Sequence, residues 1–164
     1  MDSLDFYRSF HTNPINKAIH AVCIPLIVLT TFMFSAFSLS NIDIKVTMIK
    51  PFTQELKFKF TAESIMCHFM AIYITLYWKY FGFNIALIMT GYFANIYTFA
   101  VVWRALDKNW YMNSFYIFFL AWTLQFIGHT IEGNRPALMT SLTQTLFEAP
   151  LYSLEYFPYL NLFK

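Results

Sequence analysis

Four stretches of this chain are long and apolar enough to cross roughly 30 Å of hydrocarbon. They run over about 19–39, 61–81, 83–103 and 114–133. That pattern reads as an all-α integral membrane helical bundle, formed by a single domain over residues 1–164. Composition agrees, with 58% hydrophobic and 12% charged residues, where soluble domains carry about a quarter charged. So few charges cannot cover the surface of a soluble fold, but a bilayer can.

The punctuation between these stretches is consistent. Asn13-Pro14 reads as an N-cap followed by proline at the first helical position. Residues 43–59 form the longest polar stretch, with Lys45, Lys50, Lys57 and Lys59, and read as a surface loop. The turn Lys79-Tyr-Phe-Gly82 is tight, so the second and third spans should form a hairpin. Arg104 to Asn109 closes the third span, and Gly133-Asn134-Arg135-Pro136 ends the fourth. A further helix over about 136–148 is too short and too polar to span, which reads as re-entrant or interfacial. The aromatic tail after Leu151, with Tyr152, Tyr156, Phe157, Tyr159 and Phe163, suggests the membrane–water boundary.

A net charge of +2 with no basic stripe gives no argument for nucleic acid. Cys23 and Cys67 lie inside apolar segments, with neither disulfide-framework nor zinc-finger spacing. The start has no basic region leading into an apolar core, so the expectation is no cleaved signal peptide. The cations on the two sides nearly balance. Arg8, Lys17, Lys79, Arg135 and Lys164 face the loop lysines, Arg104 and Lys108, which leaves topology open.

Polar side chains inside a membrane need a partner or a purpose. Asn95 aligns with Gly91 and Thr98 and reads as an interhelical hydrogen-bonding residue. His68 and Glu63 fall on different faces of their helix and read as local structural choices. The fourth span is different. Trp122, Gln125, His129 and Glu132 are spaced three, four and three apart, which makes one continuous helical stripe. It ends in an imidazole and a carboxylate one turn apart. A second cluster holds Tyr7, His11, Asn13, Asn16 and His20, with Asn16 and His20 on one helix face. If the first and fourth spans run antiparallel, the two clusters meet at one membrane surface. His11, His20, His129 and Glu132 can then surround one ion, for which Fe(II), Zn(II) and Mn(II) all suit the ligands. Glu132 or Gln125 can instead fix a ligand's orientation from behind. A di-iron carboxylate site wants more carboxylates than these.

The segment from Phe6 through His11, Asn13-Pro14, Asn16 and His20 to Ile24-Pro25 resembles the opening motif of a known family. So does the run Trp122, Gln125, Gly128-His129, Glu132, Arg135-Pro136 and Leu138, with Leu142-Thr-Gln144 and Glu148-Ala-Pro150 behind it. Both are similar to the iron-dependent 2-hydroxy fatty acid dioxygenases, a membrane family whose best-understood fungal member acts in phytosphingosine breakdown at the endoplasmic reticulum. Residues 40–113 match only in hydropathy. Cys23 stands where many relatives have a small residue, and Thr140-Ser141 where many have Asp-Asn.

The resemblance implies α-oxidation of long-chain 2-hydroxy fatty acids by Fe(2+) and O₂, giving an acid one carbon shorter. It implies His11, His20 and His129 as iron ligands, with Glu132 as a fourth ligand or an anchor behind them. Asn16 and Gln125 would orient ligands or oxygen. Arg135, the fixed cation nearest the proposed site, is the candidate for pairing with the substrate carboxylate, and reads equally as an ordinary cationic flank of a span. Partners would be the hydroxy acid, O₂ and membrane lipids, in the endoplasmic reticulum membrane. Two competing readings are a membrane ion or proton transporter and a non-catalytic membrane scaffold. No inverted repeat of broken spans supports the first. Chain-length preference and oligomeric state are not legible.

Overall fold

A computed structural model of the protein describes residues 8–9, 11–39, 43–47, 55–59, 62–133 and 142–155. Five helices are described: α1 (Pro14–Leu39), α2 (Ala62–Phe81), α3 (Phe83–Leu106), α4 (Trp110–Glu132) and α5 (Leu142–Glu155).

Local chemistry sets their ends. The Asn13 side chain accepts from the Ile15 amide at 2.8 Å, and its carbonyl accepts from the Lys17 amide at 3.0 Å. Asn13 therefore caps α1 while Pro14, with no amide hydrogen to leave unpaired, opens it. Gly82 alone separates α2 from α3, and its φ of 88° is open to glycine and strained for other residues. Asp107 stops α3. Its carboxylate accepts from the indole of Trp103 at 2.9 Å, the side chain of Asn113 at 2.7 Å and the Asn109 amide at 2.8 Å. Those bonds, Asn113's foremost, hold its pKa below the ordinary carboxylate value. Gly133 ends α4 in the left-handed conformation, its amide donating to the carbonyls of His129 and Thr130.

The bundle is organised around α1, which packs against all four other helices and most extensively against α4. The main core joins Leu29, Phe32 and Met33 of α1 to Met66 and Tyr77 of α2, to Met89 and Phe93 of α3, and to Leu151 of α5. Tyr77 stacks on Phe147 with ring centroids 4.6 Å apart and donates its hydroxyl to the Phe147 carbonyl at 2.6 Å. A buried phenol needs such an acceptor. The outer faces of α3 and α4 carry exposed large apolar side chains, among them Leu87, Phe99, Phe119, Leu120 and Ile131. An apolar face of that extent suits lipid.

Among the described residues, three helices are long and apolar enough to cross a membrane: Pro14–Phe34 within α1, α3 and α4. The expected second span forms a helix of 20 residues, α2, but is not one of them. Its tyrosines, His68 and Lys79 lower its hydropathy.

The stretch read as a surface loop contains strands instead. β1 (Asp43–Thr47) pairs antiparallel with β2 (Glu55–Lys59), which sets Ile44 opposite Phe58 and Val46 opposite Leu56. Both segments alternate apolar and polar residues with period two, a strand signal that their lysines obscured. The C-terminal helix also differs. It continues through Pro150 to Glu155, and residues 136–141 of the expected range lie outside the described residues. At 14 residues it covers about 21 Å and cannot span. It is no purely interfacial helix, because Glu148, Ala149, Leu151, Tyr152 and Ser153 are buried. Asn95 does not bridge helices: it is exposed and donates to the Gly91 carbonyl of its own helix at 2.8 Å.

Candidate metal centre

The start of α1 and the end of α4 lie side by side, and Glu132 shows how. One of its carboxylate oxygens accepts from the backbone amide of Thr12, from the Thr12 hydroxyl at 2.7 Å and from the Asn13 amide at 3.0 Å. The other accepts from the side-chain nitrogen of Asn16. The last residue of α4 thus satisfies the backbone that leads into α1, where amides lack intrahelical partners and the helix dipole favours an anion.

Close approach at this crossing depends on Gly128. A Cβ built there collides with Oδ1 of Asn16 and sits 3.4 Å from Ile19. Small residues at such crossings let membrane helices pack backbone to backbone. The buried face of α4 is Ser114, Ala121, Gln125, Gly128 and His129, so the polar stripe read in the sequence is the face turned to the protein.

The result is a cluster of three buried imidazoles. His11, His20 and His129 are 1%, 1% and 6% exposed. Their ring centroids are 4.4 Å apart for His11–His20, 5.0 Å for His11–His129 and 4.9 Å for His20–His129. One nitrogen from each lies within 4.8 Å of the other two. These side chains come from the turn before α1, the second turn of α1 and the last turn of α4.

Hydrogen bonds decide which nitrogens face the centre. Nδ1 of His20 lies 2.9 Å from the Asn16 carbonyl, which can only accept. Nδ1 therefore carries the proton, and the lone pair of neutral His20 is on Nε2. Nδ1 of His129 is buried with no hydrogen-bond partner among the described residues. A buried nitrogen without a partner is costly in an apolar protein, and a metal ion would satisfy it. Three imidazoles gathered away from water are a donor set for a divalent first-row ion, and the fit is good.

Glu132 lies behind this centre. Its oxygens are occupied by Thr12, Asn13 and Asn16, and the metal-capable group contains the three histidines without it. It fixes Thr12, next to His11, and Asn16, whose carbonyl orients His20. Gln125 is buried one turn before His129 on the same stripe. Arg135 lies outside the described residues. His68 stands apart, exposed on α2 and bonded to the Ser64 carbonyl.

Several residues that hold the site were not singled out in the sequence for it. Tyr152, expected at the membrane boundary, is 2% exposed. Its ring centroid is 5.3 Å from that of His11, and its hydroxyl points at the His11 carbonyl from 3.4 Å. Arg8 forms a two-pronged ion pair with Glu155, Nε to Oε1 at 3.0 Å and Nη2 to Oε1 at 2.5 Å. The Arg8 carbonyl accepts the His11 amide at 3.0 Å. The segment carrying His11 is thus held by α5 at one end and by α4 at the other.

Comparison with known proteins identifies a family. The family model described as "2-hydroxy-palmitic acid dioxygenase Mpo1-like" matches residues 1–158. The 2-hydroxy-palmitic acid dioxygenase MPO1 of Saccharomyces cerevisiae is 26% identical over 150 residues, which cover 91% of this chain and 74% of that protein. No solved structure matches. The match extends over nearly the whole chain, so the chain belongs to the Mpo1-like family of oxidoreductases.

Proposed function

We propose that this protein is an Fe(II)-dependent dioxygenase that shortens long-chain 2-hydroxy fatty acids by one carbon, in the endoplasmic reticulum membrane and in the service of sphingolipid and fatty acid breakdown. The observation that carries the proposal is the buried His11–His20–His129 cluster, within a chain that matches this family along its length. The overall change converts a 2-hydroxy acid and O₂ into the acid one carbon shorter, carbon dioxide and water. Atoms and electrons balance, and no nicotinamide is required.

His11, His20 and His129 would hold the iron, and when bound it would supply the redox chemistry that couples O₂ to cleavage between the first and second carbons. The protein's own part is positioning. The Asn16 carbonyl keeps the His20 lone pair directed inward. Glu132 holds the backbone on either side of the α1 cap. Tyr152 packs on His11 and helps keep water from the imidazoles. Gln125 is a candidate for orienting a bound polar group, and Arg135 for pairing with the substrate carboxylate. The setting at the end of two spans would let the polar head of a lipid reach the centre while its tail stays in an apolar medium.

The test is direct. Purified protein with Fe(II), O₂ and a long-chain 2-hydroxy acid should give the shortened acid without added reductant. A chelator should stop the reaction, and Fe(II) should restore it where Zn(II) does not, since zinc has no redox chemistry. Equal turnover with zinc, or equal turnover of the unhydroxylated acid, would overturn the proposal.

A further inference from the structure

An apolar cavity of about 250 Å³ lies beside α1, lined by Ile27, Val28, Thr31, Phe32, Phe69, Tyr73, Phe93 and Pro150. It is separate from the imidazole cluster but aligned with it. His20, Ile24, Ile27 and Thr31 are spaced four, three and four residues apart, so they share one face of α1. Ile27 and Thr31 stand about 10 Å and 16 Å along the axis from His20.

Packed side chains connect the two. Tyr152 touches the ring of His11 and clusters with Ile24 and Ala149, and Val28 packs on that cluster while also lining the cavity. The far wall is aromatic. Phe93 lies 5.4 Å from Tyr73 and 6.0 Å from Phe32 between ring centroids. Phe69 and Thr31 are exposed at the cavity's edge, on the outer surface of the bundle. The cavity is therefore open to the side, toward lipid.

We propose that this cavity takes the acyl chain of the lipid whose polar head meets the three histidines. The inference rests on the function proposed above for the identity of the head group. An apolar void of about 150 Å³ holds a benzene ring, so this one has room for about ten carbons by proportion. The chain enters between Thr31 and Phe69, lies along Ile27, Val28 and Thr31 of α1 and ends against Phe93. The cavity thereby sets which carbon reaches the imidazoles and favours long chains over short ones.

Photo-crosslinking tests this without turnover. The probe is a long-chain 2-hydroxy acid with a diazirine near its methyl end, added to the full-length metal-free protein in lipid nanodiscs. Label is expected on peptides bearing Phe69, Tyr73 or Phe93. Val28→Trp should lower it at least about tenfold, the scale on which a filled pocket rejects a ligand. Thr31→Phe, at the exposed edge, blocks the same entry with little demand on folding and should have the same effect. Label on outward residues such as Phe119 and Leu120, unchanged in both variants, would overturn the assignment. Turnover by the parent protein is scored separately. Absence of turnover with cavity labelling intact would sink the dioxygenase reading and leave the acyl site standing.

Discussion

Each of the three histidines is buried where an apolar side chain would ordinarily be more stable. Their cost is offset only if their nitrogens gain partners. Replacing any one of them by alanine should abolish metal binding and activity while leaving membrane insertion intact, read by elemental analysis and by membrane fractionation. His68→Ala, on an exposed face of α2, should leave metal content unchanged. Glu132→Gln asks a finer question. Glutamine cannot accept at both oxygens, so the bonds to Thr12 and Asn13 or the one to Asn16 must go. Positioning residues of this kind typically change metal affinity by roughly 10–100-fold. A loss in that range, measured by competition with a chelating dye, is the expected outcome. Total loss would instead make Glu132 a ligand. At this scale polar residues in apolar surroundings drew attention to His11, Asn16, His20, Gln125, His129 and Glu132, although the same signal misread Asn95 as a bridge between helices. It was silent on Tyr152 and Arg8. An aromatic or a flanking cation near a membrane has an ordinary reason to be there, and their partners lie 141 and 147 residues away.

Among elements, the contact between α1 and α4 matters most, and it can be probed at one atom. Gly128→Ala places a methyl group against Asn16, which must shift, and with it the carbonyl that orients His20. Overpacking of this kind typically costs about 1–3 kcal/mol. Gly91 on α3 has nothing within 4 Å of a built Cβ, and Gly91→Ala should be neutral or stabilising. Thermal melting of both variants checks the contrast, and metal affinity should fall in the first alone. Helix ends were legible because capping chemistry is local, as Asn13-Pro14, Gly82 and Gly133 show. The β1–β2 pair and the extent of α5 were not. Lysines disguised a period-two alternation in the first. In the second, the expected range ended at about 148, short of Pro150, and the helix passes through that proline.

For the whole molecule, the constraint is parity. Glu132 bonds to Thr12 and Asn13, so the start of α1 and the end of α4 lie together, on one side of any membrane that these helices cross. An even number of crossings must separate them. If α1, α3 and α4 each cross, then α2 crosses as well, despite its lower hydropathy. Single cysteines at Ser9 and Lys108, in a background without Cys23 and Cys67, should therefore label from opposite faces, with a cysteine at Gly82 labelling from the Ser9 side. We expect that side to be cytosolic. Labelling of Gly82 and Lys108 from the same side would contradict the four-crossing arrangement. Hydropathy alone could not reach this conclusion, because it scores each segment separately and the requirement arises from a contact between distant ones.

The bond between Glu132 and the entrance to α1 also bears on how the molecule is made. Ribosomes deliver α1 first, when its complement does not yet exist. Asn16 and His20 are made before the carboxylate and third imidazole that face them, and before the helix that brings Tyr152 to His11. These polar groups are thus without their final partners until the last helices close over them. α1 meets α2 and α3 early, but the three imidazoles are complete only once α4 has been made.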